Sequence, residues 1–505
     1  MKALKGLLVY IGLILGIAAG SVAILVCIMY FFPQVRIAGI GMVHYNKTID
    51  TQVVELSKYE YTEPNVNLTI TSNNIGINVY PIEGNDIKYN LQLSIFGLST
   101  EIVEYQVVKT AEVDEHGNLN IFMTVTEPKG WISTENSIAN IAVPKDIIWN
   151  LSATTKKGQV YIGSSNHSLQ MNNLAVTTGN GDLSLINVGT NGTERSLELS
   201  TLTLTTNKGE FDLSAIDNLT VTNKVQLKAN DGEFKFKKLY ASVDITGDGV
   251  KLTADKVLCG SKGFSFIGVN GYFTIGVLEC PEGSENTLIA DNMEFSIGTI
   301  TGKTGIVTTY GNVKINTTNS YTTIENYNGN VSVDKAQDNI NIDAHMGNIT
   351  VGAYYASGKF VSNKGDINVY SRADYIDGCV TEIYNVDGNV KVKNEINRLI
   401  LTTTGRSNVE VVLGKIKTDL EMPFTHKIDT SVNGSCVVYF PTINISAFKY
   451  TAKGIISGDL SAGTSVQYYP GESAENIANA NVTANFEFIG KITFKGHPWT
   501  DISTL

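Results

Sequence analysis

The stretch Gly311-Asn312-Val313-Lys314-Ile315 returns as Gly329-Asn330-Val331-Ser332-Val333, Gly347-Asn348-Ile349-Thr350-Val351, Gly365-Asp366-Ile367-Asn368-Val369 and Gly388-Asn389-Val390-Lys391-Val392. The first three spacings are 18 residues and the last is 23. Five residues before each glycine stands an apolar side chain, in order Ile306, Ile324, Ile342, Phe360 and Ile383. Each unit therefore carries two short strands joined by polar turns, and the series is an internal repeat.

In Gly-Asn-Val-Lys-Ile apolar and polar residues alternate, which on a strand sends Val313 and Ile315 to one face and Asn312 and Lys314 to the other. A single unit cannot bury its own apolar face. Units of constant length can stack, so that each strand pairs in parallel with its counterpart in the next coil and the valines and isoleucines line up inside. The glycine falls where the chain turns a corner, a position that needs positive φ or room for a neighbouring backbone. The expected fold class is all-β: a parallel β-helix, or β-solenoid, with irregular β caps.

Working outward, the phrase begins earlier, as Gly158-Gln159-Val160-Tyr161-Ile162, Gly181-Asp182-Leu183-Ser184-Leu185, Gly209-Glu210-Phe211-Asp212-Leu213 and Gly232-Glu233-Phe234-Lys235-Phe236. The repeat solenoid is thus expected over residues 158–395, with a shortened phrase between Gly247 and Cys280. Residues 47–157 are β-rich without the regular phrase and are expected to form an N-terminal cap and first coils. An open solenoid end would otherwise expose apolar core and unpaired strand edges. Residues 396–505 keep strand patterning but lose the glycine register, and are expected to be C-terminal coils and cap.

Residues 1–33 read as a transmembrane signal-anchor, followed by a juxtamembrane linker over 34–46. From Gly6 to Phe32 no residue is charged, which as a helix spans about 40 Å against a hydrocarbon layer of about 30 Å. Lys2 and Lys5 precede it and Arg36 follows, a bias that keeps the N-terminus in the cytoplasm and the C-terminal domain extracellular in a single-pass protein. Ser21-Val22-Ala23 has the small residues of a peptidase site, yet cleavage there would leave Ile24 to Phe32 as a bare apolar terminus. Gly12, Gly16 and Gly20 share one helix face and permit a homodimer through the transmembrane helix.

The composition agrees: 505 residues, 42% hydrophobic, 17% charged, with 47 glycines and ten prolines, fit a large β-rich core. The net charge of −11 and the absence of a Lys/Arg cluster argue against nucleic acid, whose phosphates call for clustered cations. The membrane segment, the stretch Ile141-Ala142-Val143-Pro144-Lys145, then Leu151-Ser152-Ala153-Thr154-Thr155-Lys156-Lys157-Gly158-Gln159-Val160 and the many Gly-Asn/Asp-Val-x-Val phrases together resemble the bacterial putative-adhesin domain family of unknown function, over residues 66 to 395. That resemblance implies a β-helix displayed at the envelope, anchored in the bacterial cell membrane. The family brings no agreed catalytic residues with it.

A carbohydrate-active β-helix would gather carboxylates on neighbouring coils, because glycosidic cleavage needs an acid and a second group close by. The middle outward position of each phrase reads Tyr161, Ser184, Asp212, Lys235, Lys314, Ser332, Thr350, Asn368 and Lys391, with one carboxylate among them. The six histidines have no metal-ligand spacing, and neither Gly-x-Ser-x-Gly nor a phosphate loop is present. The expectation is therefore no enzyme and no cofactor. After each glycine, Asn312, Asn330 and Asn348 are spaced to form an amide ladder, whereas Asp182, Glu210 and Glu233 would stack three carboxylates that either splay into water or hold a metal such as Ca²⁺. Cys259 and Cys280, one coil apart, are the most plausible disulfide pair; the alternative is that the cysteines are small apolar fillers.

Two functions remain from the sequence. One is a surface-exposed adhesin-like solenoid that binds envelope or host polysaccharide, or a surface protein, without catalysis. The other is a membrane-tethered envelope sensor or structural scaffold. A carbohydrate-active enzyme is a remote third.

Overall fold

The computed structural model describes residues 2–31, 35–38, 40–61, 66–99, 105–127, 130–134, 136–186, 188, 195–371, 378–414, 425–430, 434–441, 448–461, 464–465, 473–476 and 484–497. Alternation along the repeat phrase dictates its core. Strands Val313–Thr318, Val331–Ala336, Ile349–Tyr354, Ile367–Ser371 and Val390–Glu395 pair in parallel, each with its counterpart in the next coil. The register puts Val313, Val331, Ile349, Ile367 and Val390 in one column and Ile315, Val333, Val351, Val369 and Val392 in a second, all at most 1% exposed. The preceding strands stack likewise and align Ile306, Ile324, Ile342, Phe360 and Ile383. Each fully buried aliphatic side chain is worth about 1.5–3 kcal/mol, so repetition along the columns supplies what no single unit can. The fold is the all-β β-solenoid expected from the repeat.

The chain divides into two compact units, Met1–Thr222 with Gly232–Lys237, and Asn223–Asp231 with Lys238–Leu505. In the first, Val66–Thr71, Trp149–Thr155 and Met171–Thr178 form one parallel column, and Gly76–Ile82, Val160–Gly163, Leu183–Ile186 and Glu210–Asp212 another. The coil order departs from the chain order. Leu119–Thr126 pairs with the other edge of Val66–Thr71, and Ile138–Pro144 with the other edge of Gly76–Ile82. Later residues thus build the outer coil, and antiparallel strands continue from it: Gln106–Val113 on Leu119–Thr126, Ile87–Ser99 on Ile138–Pro144, and Ile40–Val54 on Ile87–Ser99. Switching to antiparallel pairing ends the stack without leaving a coil edge open. Glu127 staples this outer coil to its neighbour, its carboxylate accepting from the N–H groups of Asn73 and Asn74 and from Ser72 Oγ at 2.8–3.0 Å. Trp149 is fully buried and donates Nε1–H to the Pro144 carbonyl at 3.1 Å. The linker expected over 34–46 is strand from Ile40 onward, because that segment pairs with Ile87–Ser99.

In the second unit the shortened phrase has a structural cause. Phe264–Glu279 and Glu285–Thr301 are single strands of 16 and 17 residues that run through the corner, and Gly271 and Met293 occupy one register position there. Phe264, Phe266, Phe273 and Phe295 fill the interior in edge-to-face and tilted contacts at 5.5–6.3 Å between centroids. At the other end of this unit Ala484–His497 pairs in parallel with Thr425–Thr430, Ser435–Pro441 and Phe448–Ser461, so the last described strand is inserted between earlier ones. The expected cap over 396–505 lies partly outside the described residues.

An α-helix spans Lys2–Phe31, and its segment Ile11–Phe31, with mean hydropathy 2.7, is long and apolar enough to cross a membrane. Apart from the helix's own backbone and the adjoining residues, no described atom lies within 4 Å of where a Cβ would stand on Gly12, Gly16 or Gly20.

Candidate functional site

The corner after each repeat glycine is built by close approach. A Cβ on Gly347 would stand 1.8 Å from the Gly329 carbonyl oxygen, and the same holds at 1.9 Å for Gly329 over Gly311, 2.1 Å for Gly365 over Gly347 and 2.2 Å for Gly388 over Gly365. In the first unit Gly158, Gly181 and Gly209 meet the carbonyls of Ile75, Gly158 and Gly181 at 1.8–2.2 Å, and Gly232 is buried. Among the repeat glycines only Gly311 and Gly388 have positive φ. Space, rather than backbone conformation, is what calls for glycine in most corners.

The side chain after the glycine does not form the expected amide-to-amide ladder. Instead Asn312 Oδ1 accepts from the N–H of Asn330, Asn330 Oδ1 from Asn348, Asn348 Oδ1 from Asp366, and Asp366 Oδ1 from Asn389, at 2.7–3.1 Å. Each side chain satisfies a main-chain donor of the next coil. Because an acceptor oxygen is all the position requires, Asp and Asn interchange there. A true amide ladder exists elsewhere, unmarked by any glycine: Asn150 donates to Asn67, Asn67 to Asn120, and Asn173 to Asn150, each at 2.7 Å. A second class of residue missed from the sequence sits three positions before the glycine, where buried Thr178, Asn326, Ser362 and Asn385 donate to corner carbonyls. A small polar residue at a fixed offset was the available signal.

Asp182, Glu210 and Glu233 do stack on successive coils of the first unit, with a lysine beside two of them. Asp182 Oδ1 accepts from the Glu210 N–H at 2.9 Å, and Lys235 Nζ lies 2.5 Å from Glu210 and 3.4 Å from Glu233. The ammonium occupies the role assigned to a cation, and those two carboxylates hold Lys235 above the ordinary lysine range. Among the described residues no group of three or more His, Cys, Asp or Glu side chains is placed to hold a metal ion. Asp212 is turned to its own strand end, accepting from Ser214 N and Oγ. Cys259 and Cys280 are brought together as free thiols, both hydrogen-bonded to Asn286 Oδ1.

What the first unit offers a ligand is a groove of about 930 Å³ between outer-coil residues 133, 134 and 136–138 and the corner at residues 157–161. Exposed Ser133, Asn136, Lys157 and Gln159 and half-buried Asn74 and Tyr161 present hydroxyl, amide, ammonium and phenol groups along it. Asn136 is held at φ 68°, a left-handed conformation that Asn tolerates better than most residues. Tyr161 OH donates to Gln159 Oε1, which orients both. Among the described residues lining the groove there is no Asp or Glu.

Residues 67–256 match the family described as Toastrack DUF4097. This segment is similar to Toastrack domains, a family of unknown function. It holds the groove and the Asp182, Glu210 and Glu233 corner, and it begins within one residue of the resemblance read from the sequence, which extended further along the repeat. Among curated proteins none matches the chain. A crystal structure described as a putative cell adhesion protein from Clostridium sporogenes aligns at 11% identity over 90% of this chain and 100% of that one. Its TM-score is 0.15, at which the alignment carries no argument about geometry or function.

Proposed function

We propose that the protein is a membrane-anchored, adhesin-like β-solenoid whose Toastrack-like domain binds polysaccharide in the groove at Asn74, Asn136, Lys157, Gln159 and Tyr161 without turning it over. The observation that carries this reading is the groove's lining. Sugar hydroxyls both donate and accept, and amide, hydroxyl and phenol groups serve both roles where a field of like charges would not. Hydrolysis of a glycosidic bond uses two carboxyl groups roughly 5–10 Å apart, and the described lining supplies none. The apolar helix Ile11–Phe31 supports anchoring, and Lys2 and Lys5 on one side with Arg36 on the other support an extracellular C-terminal domain.

The test incubates full-length protein in detergent with purified cell-wall polysaccharide and follows retention together with new reducing ends. Retention without new ends is expected. Tyr161→Ala should weaken it by about 1–2 kcal/mol, roughly five- to thirty-fold in affinity. Release of reducing ends would overturn the non-catalytic reading, and no retention on any polysaccharide would favour the sensor or scaffold.

A further inference from the structure

We propose that Cys259 and Cys280 are a modification site, a pair of thiols that closes into a disulfide joining two successive coils of the second unit. The register places them. Leu258 is paired with Glu279 in parallel strands, and the residue that follows each is a cysteine. Each cysteine N–H still reaches the following coil, Cys259 to the Glu279 carbonyl at 2.7 Å and Cys280 to the Thr301 carbonyl at 2.8 Å. Both lie just past their strands, so the main chain there is not pinned by a continuing ladder on both sides. In-register neighbours on parallel strands stand about 4.8 Å apart, within the Cα separation of roughly 4.4–6.8 Å that a disulfide spans.

The two thiols converge on one oxygen. Cys280 Sγ donates to Asn286 Oδ1 at 2.8 Å and Cys259 Sγ approaches the same oxygen at 3.8 Å. Asn286 is fully buried and fixed through its own donation to Thr304 Oγ1 at 2.9 Å, so it acts as a positioning residue for both thiols. On the next coil stands Gly302, where a Cβ would come within 2.7 Å of Cys280 Cβ. The thiols also differ in access: Cys259 is half-buried, while Cys280 is 4% exposed and forms part of the wall of a cavity of about 730 Å³. Hydrogen bonding to Cys280 and burial hold the Cys259 thiol above its ordinary value, so the exchange should quicken as pH rises.

The oxidant is a low-molecular-weight disulfide, R–S–S–R. Cys259, as thiolate, attacks one sulfur, forms Cys259–S–S–R and expels R–S⁻, which takes up the proton that Cys259 lost. Cys280 then attacks Cys259 Sγ, the Cys259–S–S–R bond breaks, and a second R–SH leaves with the Cys280 proton. The two thiols lose two electrons, and one external disulfide is reduced to two thiols.

The experiment uses full-length protein in detergent, reduced, freed of reductant and exposed to oxidised glutathione. Non-reducing peptide mapping should show one cross-linked peptide pair containing Cys259 and Cys280, two thiols lost on titration, and a higher melting temperature for the oxidised protein. With Cys280→Ser the reaction should stop at a glutathione adduct on Cys259. The more exposed variant Cys259→Ser, which keeps the buried cysteine, should leave Cys280 largely unmodified. Mixed disulfides that persist on the wild type without converting would overturn the proposal. So would intermolecular dimers through either cysteine, or thiols that stay reduced in the folded protein yet oxidise once it is denatured. None of these readouts depends on polysaccharide binding.

Discussion

Gly347→Ala is expected to loosen the solenoid at one corner, and the structure sets the magnitude. The new Cβ would stand 1.8 Å from the Gly329 carbonyl oxygen and 2.5 Å from its carbon. Ordinary contact lies near 3.4 Å, so adjacent coils must part locally by about 1.5 Å. Three hydrogen bonds cross or brace this corner: Val331 N–H to Asn348 O at 2.9 Å, Asn348 N–H to Asn330 Oδ1 at 3.1 Å, and Ser362 Oγ to the Gly347 carbonyl at 3.1 Å. Stretched by that amount, none persists. At about 1 kcal/mol each the loss is about 3 kcal/mol, and overpacking of the columns beside the corner brings it to about 5 kcal/mol. Gly305→Ala is the matched control. It has the same chemistry and lies in strand Lys303–Tyr310, but no atom stands within 4 Å of its added Cβ and its φ is not positive. That substitution should be neutral or stabilise by about 0.5 kcal/mol. Urea midpoints followed by circular dichroism would compare the two. Equal midpoints would refute the claim that the repeat glycines are selected by close approach.

Burial holds His426 down to about 3, with Arg398 adding to the effect, and its Nδ1 accepts from the Leu399 N–H. Since the folded value lies below the unfolded one, stability is intact above pH 6.5 and falls as pH drops, by about 2 kcal/mol between pH 6.5 and 5; His426→Gln should flatten that slope in pH-dependent melting. Burial raises Glu395 despite hydrogen bonds from Tyr354 OH and the Asn397 N–H, so its contribution is full below the ordinary glutamate value and is lost as pH rises through the folded one. Glu395→Gln should therefore gain stability relative to wild type at pH 8 compared with pH 4, which paired unfolding curves would show. Glu127→Ala removes the acceptor shared by Asn73, Asn74 and Ser72, and should cost about 2 kcal/mol and raise amide exchange over residues 72–75. Protease added to intact cells should digest the region beyond residue 35, and full protection would reverse the proposed orientation.

The 18-residue recurrence of glycine followed by an alternating strand was enough to determine the solenoid, the inward columns and the corners, because stacking of identical units is the one way such short amphipathic strands bury their apolar faces. The apolar run near the N-terminus likewise determined a helix long enough to cross a membrane. Coil order is different. Leu119–Thr126 and Ile138–Pro144 pack outside Val66–Thr71 and Gly76–Ile82, and Ala484–His497 enters between strands that precede it, because parallel pairing asks only for a matching edge and not for adjacency in sequence. The candidate groove depends on that reversal, since it brings Ser133 and Asn136 beside Lys157 and Tyr161. The charge of a corner was also undecided by its residue type. Asp182, Glu210 and Glu233 looked like a cation site in one dimension, and only the tertiary structure placed Lys235 between two of them and turned the first onto a main-chain N–H. Local periodicity records what each strand must bury; which side chains meet across coils is settled by register and by the space a neighbouring backbone leaves.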